Sequence, residues 1–183
     1  MRRLFLIGGL LVAFGLAVLA ASAAAPANFA GTWGLDKAKS QGLSQRMQNA
    51  ESVTWTITQD DKTISIDPKV TGGQPPAGGG AGGGTGGGRP PAGPTAYKLD
   101  GSETTSDVPL GQMTGKQTLK ATWAGDALQL SRTTTVSTPD GDRTSSNAQK
   151  LSLSGDGKVL TAVVHSEGGR GGPTDSTLVF NKQ

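Results

Sequence analysis

Few side chains in this 183-residue chain could do chemistry, and their spacing argues against most reactions. His165 is the one histidine, with Glu167 two residues on. Acid–base catalysis by histidine wants an orienting partner within hydrogen-bond reach, whereas neighbours two apart on a strand simply share a face. His165 therefore reads as a strand-end residue at a rim. Metal sites want several His, Cys or carboxylate ligands converging; one His and no Cys do not supply them, so no metal ligand is assigned. Calcium calls for a D-x-[DN]-x-[DN]-G array, for which Asp140-Gly141-Asp142 is too short, and Asp60-Asp61 reads as a solvated turn. Serines and threonines abound, yet no G-x-S-x-G elbow occurs. The glycines of 71–94 lack the fixed Lys or Ser/Thr spacing and the helix start that a phosphate cradle requires. No catalytic residue and no cofactor are assigned, and a non-enzymatic protein is expected. An enzyme would need a polar constellation assembled from distant strands.

The aromatic residues are the remaining candidates. Trp55, Tyr97 and Trp123 fall in phase with the inward positions of their segments. Core packing is the default for such residues. A barrel interior can also hold one small ligand, so these three are the candidate cavity lining.

What must position them is a series of strands. ESVTWTIT (51–58) alternates strictly, with Val53, Trp55 and Ile57 on one face and threonines on the other, the period of a half-buried strand. A polar turn at 59–62 leads to TISID (63–67), and Pro68, having no N–H to donate, is expected to end that ladder. The unit recurs in QTLKATWAGDALQLS (117–131) and KLSLSGDGKVLTAVV (150–164), each bent at Asp and Gly, which tolerate the conformations of tight hairpins. Pro139-Asp140-Gly141-Asp142 joins a further pair, and TAYKLD (95–100) reads as another strand. Only 34–50, without alternation, invites a helix or helical turn. These short, regularly punctuated strands predict an all-β, antiparallel up-and-down meander that closes as a barrel or packs as two sheets.

The segment 71–94 belongs to no sheet. Its twelve glycines and five prolines cannot bury enough surface to offset ordering entropy, so it reads as a disordered Gly/Pro-rich insertion. It lies between two strands, as a hairpin loop grown long, and loop-closure entropy rises only logarithmically with length. A smaller version occurs at 166–175.

The N-terminus speaks of compartment. Arg2 and Arg3 precede the apolar run 4–20, and Ala21-Ser22-Ala23 offers a small-x-small cleavage pattern. Residues 1–23 are read as a signal peptide cut after Ala23 (Ala25 is the alternative), with 24–183 a single domain in the periplasm or outside the cell. Three glycines within the run and the absence of a following basic cluster favour cleavage over a retained membrane span. With no cysteine, neither a lipid-modified cysteine nor a disulfide framework is available. Loss of Arg2 and Arg3 takes Lys+Arg from 17 to 15 against 14 acidic residues. No basic run or stripe follows, which excludes nucleic acid as a partner.

The phrase NFAGTWGLDKAKS (28–40), a G-x-W opening a strand meander just after a leader, resembles the start of a lipocalin-like barrel. Together with AYKLDG (96–101), ATWAGDALQLSR (121–132), LSLSGDGKVLTA (151–162) and LVFNKQ (178–183), it is similar to small exported bacterial β-barrel proteins. The resemblance implies an up-and-down barrel whose base is closed by Trp33, and a small apolar ligand as partner. The chain departs from the lipocalin pattern in lacking T-D-Y and an arginine near the end to stack on Trp33, Lys182 being the nearest basic residue. The alternative is a structural or interaction module at the cell envelope, using 71–94 as a flexible arm toward a protein partner.

Overall fold

The computed structural model describes residues 26–72, 93–110, 113–139, 141–168 and 172–183. The leader reading of 1–23 and nearly all of the Gly/Pro insertion therefore fall outside the described residues.

Ten strands are formed by the described residues: β1 (Gly31–Leu35), β2 (Ser52–Gln59), β3 (Thr63–Thr71), β4 (Thr95–Lys98), β5 (Thr104–Leu110), β6 (Met113–Ala124), β7 (Ala127–Thr138), β8 (Gly141–Leu153), β9 (Val159–Glu167) and β10 (Thr174–Lys182). One short helix, α1 (Gln45–Asn49), lies between β1 and β2. The order across the sheet is β4-β3-β2-β1-β10-β9-β8-β7-β6-β5, every pairing antiparallel. Sequence neighbours are sheet neighbours except β4 and β5, which stand at the two edges, and β1 meets β10. The sheet curls until β4 lies against β6, giving a nearly closed all-β barrel with an up-and-down meander. Its ten strands are two more than a lipocalin's eight.

Alternation decides what faces in. In β2, Val53, Trp55 and Ile57 are buried while Thr56 and Thr58 are exposed. The hairpin bends fall at Gly125 and Gly157, whose φ values of 63° and 67° suit glycine. Asp60 holds the β2–β3 bend by accepting from the N–H groups of Lys62 (2.8 Å) and Thr63 (2.7 Å).

Two expectations are corrected. Pro68 does not end β3, which continues to Thr71 with Pro68 opposite Trp55. β4 pairs only with Thr63–Ile66, so beyond that point β3 has no partner on this side among the described residues, and a missing N–H is tolerated there. Consequently Thr71 belongs to β3 rather than to the insertion. The helix expected within 34–50 is present as Gln45–Asn49, with Ser44 as N-cap; the rest of that segment is taken by β1, which runs on to Leu35, and by the Gln41–Thr177 bridge.

Candidate functional site

Following the register of β6–β10 across the interior separates the barrel into storeys. Near the 125–126 and 154–158 turns, Leu153, Leu160 and Phe180 face one another, then Trp123, Leu128, Leu151, Ala162 and Leu178. Most of these are fully buried, and each such aliphatic side chain contributes about 1.5–3 kcal/mol of transfer free energy. One storey up stand Ala121, Leu130, Gln149, Val164 and Ser176; above them come Leu119, Arg132, Asn147, Ser166 and Thr174. The interior thus grades from apolar and closed to polar and half-open.

The closed end is plugged from the chain's N-terminal side. Phe29 donates its N–H to Gln59 Oε1 (2.9 Å), and Gln59 Nε2 donates to the Ala27 carbonyl (3.0 Å). This strap sets the Phe29 ring against Trp123, with centroids 6.2 Å apart. Trp33 is fully buried and donates its indole N–H to the Phe29 carbonyl (2.8 Å). Lys182 occupies the place beside Trp33, its ammonium 5.3 Å from the ring centroid. At the other end lies the β1–β2 connection carrying α1, and its Leu43 and Met47 pack against the core.

The candidate lining residues are placed as follows. Trp55 is buried against Phe180, ring centroids 4.5 Å apart. Tyr97 is buried opposite Ile64, and Trp123 is partly buried in the plug. Of the two surface depressions described, neither is lined by any of the three. Trp55 and Trp123 join the packed lower storeys, so the polar groups that could orient a ligand lie above these two.

Arg132 is one such group, and sequence reasoning missed it. It extends the inward phase of Leu128 and Leu130, between Leu119 on β6 and Asn147 on β8. Asn147 donates to Ser166 Oγ (2.8 Å) and accepts from Gln149 Nε2 (2.8 Å), which fixes its amide. Arg132 itself makes no hydrogen bond or ion pair with a described residue. Burial pushes the Tyr97 phenol above its usual range, and the positive charge of Arg132 pulls the other way, so the two groups sense each other across the interior. Among the described strand residues, the charged ones in phase with the interior are Arg132, Arg143 and Lys182, all basic.

His165 points outward on β9. Its Nδ1 lies 2.6 Å from Asp175 Oδ1 on β10 and its Nε2 3.1 Å from Glu167 Oε1. Asp175 was invisible to local spacing, since only the β9–β10 register brings it opposite His165. Both carboxylates raise the imidazole pKa, the bond to Asp175 most. The nearest neighbour across β8 is Ala148, which offers no nucleophile. Among the described residues no group of three His, Cys, Asp or Glu could hold a metal, and no helix is long and apolar enough to cross a membrane.

No protein-family model matches this chain, and no curated protein does. Among solved structures, the REP1-NXSQ fatty acid transporter is similar at a TM-score of 0.48 and 12% identity, over 84% of this chain and 95% of its own. Fatty-acid-binding protein 1 of Echinococcus granulosus is similar at 0.47 and 13%, over 84% and 96%. The fatty-acid-binding protein of Manduca sexta is similar at 0.40 and 14%, over 84% and 99%. The barrel assignment rests on the strand order of this chain itself.

Proposed function

We propose that this chain is a non-enzymatic barrel that binds a small amphiphile, apolar along its body and anionic at one end. The observation that carries this reading is Arg132, a cation with no hydrogen-bond or ion-pair partner among the described residues, facing an interior whose described charged strand positions are all basic. A carboxylate or sulfate in the upper storey would meet the guanidinium, with the Asn147 and Gln149 amides beside it. A charge-assisted hydrogen bond of that kind contributes about 1.5–3 kcal/mol. The apolar body would lie against Leu119, which stands beside Arg132, and against Leu130 and Val164 in the storey below. Entry would pass the Leu43–Met47 segment, which covers the same end with few buried contacts of its own.

Export belongs to the same proposal, supported by Arg2-Arg3, the apolar run 4–20 and Ala21-Ser22-Ala23. Mass spectrometry of the protein recovered from its native host should give a chain beginning at Ala24, and an intact Met1 would refute processing.

The binding test uses a dansyl-labelled straight-chain fatty acid and its methyl ester, followed by dansyl emission and by tryptophan quenching. The acid should bind saturably, and Arg132→Gln should weaken it about tenfold or more while leaving the ester unaffected. Equal binding of acid and ester to both forms, or no saturable binding, would overturn the reading.

A further inference from the structure

The larger depression described, about 450 Å³, lies on the outer face of the sheet. Its floor and walls come from two adjacent outward rows. One runs Lys120–Ser131–Ala148–His165, the other Thr122–Gln129–Lys150–Val163. The hollow exists because Ser131 and Ala148 are small and stand between longer neighbours. Rows two residues apart are separated by about 6.6 Å and strands by about 4.8 Å, so the floor fits a flat body of one or two fused rings.

Its chemistry is uneven. Val163 forms part of the wall and is 49% exposed, one of the two large hydrophobic residues so exposed among those described. Lys120 is engaged by Glu103 at 3.3 Å, and His165 by Asp175 and Glu167. Lys150, between Gln129 and Val163, has no acidic partner among the described residues. An exposed apolar wall beside an uncommitted ammonium suits a ligand with an apolar plane and one negative charge. A sugar acid would want an aromatic platform, and none of Trp33, Trp55, Tyr97 or Trp123 faces this side.

We infer that this outer-face hollow is a second binding site, separate from the barrel interior, for a small aromatic carboxylate. The ring lies on Ala148 and Val163, and the carboxylate accepts from Lys150 Nζ. The stems of Lys120 and Lys150 cover the ring edge, a use of their methylenes that leaves both ammonium groups in water.

The test is titration of the isotopically labelled full-length protein with naphthoate, followed by amide chemical shifts, with naphthalenemethanol as the uncharged control. Saturable shifts should centre on 129–131, 148–150 and 163–165, and the alcohol should bind about tenfold more weakly. Ala148→Leu fills the floor and should abolish binding; Lys150→Gln should weaken it about tenfold, with far-ultraviolet circular dichroism unchanged in both. Arg132→Gln separates this site from the interior and should leave the saturable shifts on the outer-face rows around 148–150 and 163–165 intact. Shifts centred on inward residues, loss of binding in Arg132→Gln but not in Ala148→Leu, or no saturable shift would each overturn the inference. Should Ala148→Leu fail to fold, Lys150→Gln and the alcohol control decide alone.

Discussion

Lys182 stands over the indole of Trp33, 5.3 Å from ammonium to ring centroid, at the position where β10 pairs with β1. The indole is fully buried and anchored by its N–H to Phe29, so the cation meets a fixed ring face at the seam between the first strand and the last. Lys182→Gln should lower stability by about 0.5–1 kcal/mol, the range for a cation–π contact at an exposed site. Trp33→Ala removes the plug as well and should cost about 3–5 kcal/mol. Urea denaturation of the two variants checks both figures. Equal losses would mean that Lys182 contributes more than its contact with the ring.

Glycine substitutions should divide according to what a new Cβ would meet. Gly125 and Gly42 both have positive φ, 63° and 66°. At Gly125 a Cβ enters open space, so Gly125→Ala should cost about 1 kcal/mol from backbone conformation alone. At Gly42 the Cβ would press on the backbone of Asp175 and Ser176, so Gly42→Ala should cost clearly more and disturb the Gln41–Thr177 bridge. Thermal unfolding of the pair gives the comparison directly.

Legibility in the sequence followed side-chain phase. Where apolar residues alternate, as in Val53-Thr54-Trp55-Thr56-Ile57 or Leu128-Gln129-Leu130, the strand and its inward face follow from period two alone. β5 went unread because Thr-Thr-Ser-Asp-Val-Pro-Leu has no such period: it edges the half-open storeys, where few positions need to be apolar. Pro68 misled because the rule about proline depends on whether another strand lies alongside, and the pairing of β3 with β4 ends at Ile66–Thr95. Arg132 lies in Ser131-Arg132-Thr133-Thr134, whose inward phase is inherited from Leu128 and Leu130. Carrying that phase two residues further was the signal that could have found it.

The pH response should have two limbs. The His165 pKa is raised above 6.5 by Asp175 first and Glu167 second, so the folded state binds the proton more tightly than the unfolded chain. That contribution is fully present below pH 6.5 and is lost as pH rises through the folded-state value. Asp36 and Asp60 are held below 3.8, chiefly by the Asn181 amide and by the Lys62 N–H respectively. Their contribution is present above the unfolded carboxylate value and is lost as pH falls through the folded-state values. Urea midpoints across pH 3 to 9 should therefore fall at both ends. The alkaline decline should flatten in Asp175→Asn, while the acidic one persists.

Replacing Arg132 by an apolar side chain should separate folding from binding. In the free protein the guanidinium faces the half-open interior without a hydrogen-bond or ion-pair partner among the described residues, and Leu119 is its neighbour on β6. A charge removed from water and left unpaired costs stability, and residues kept for binding are often those the fold would do better without. Arg132→Leu should therefore stabilise the ligand-free protein by about 1 kcal/mol in urea titration, while abolishing the preference for the dansyl fatty acid over its ester. With the cation gone, the Tyr97 phenol loses the one charge that draws its pKa down, so its spectrophotometric titration should shift further upward. A destabilised Arg132→Leu with unaltered acid preference would assign the guanidinium to the fold and remove it from the binding site.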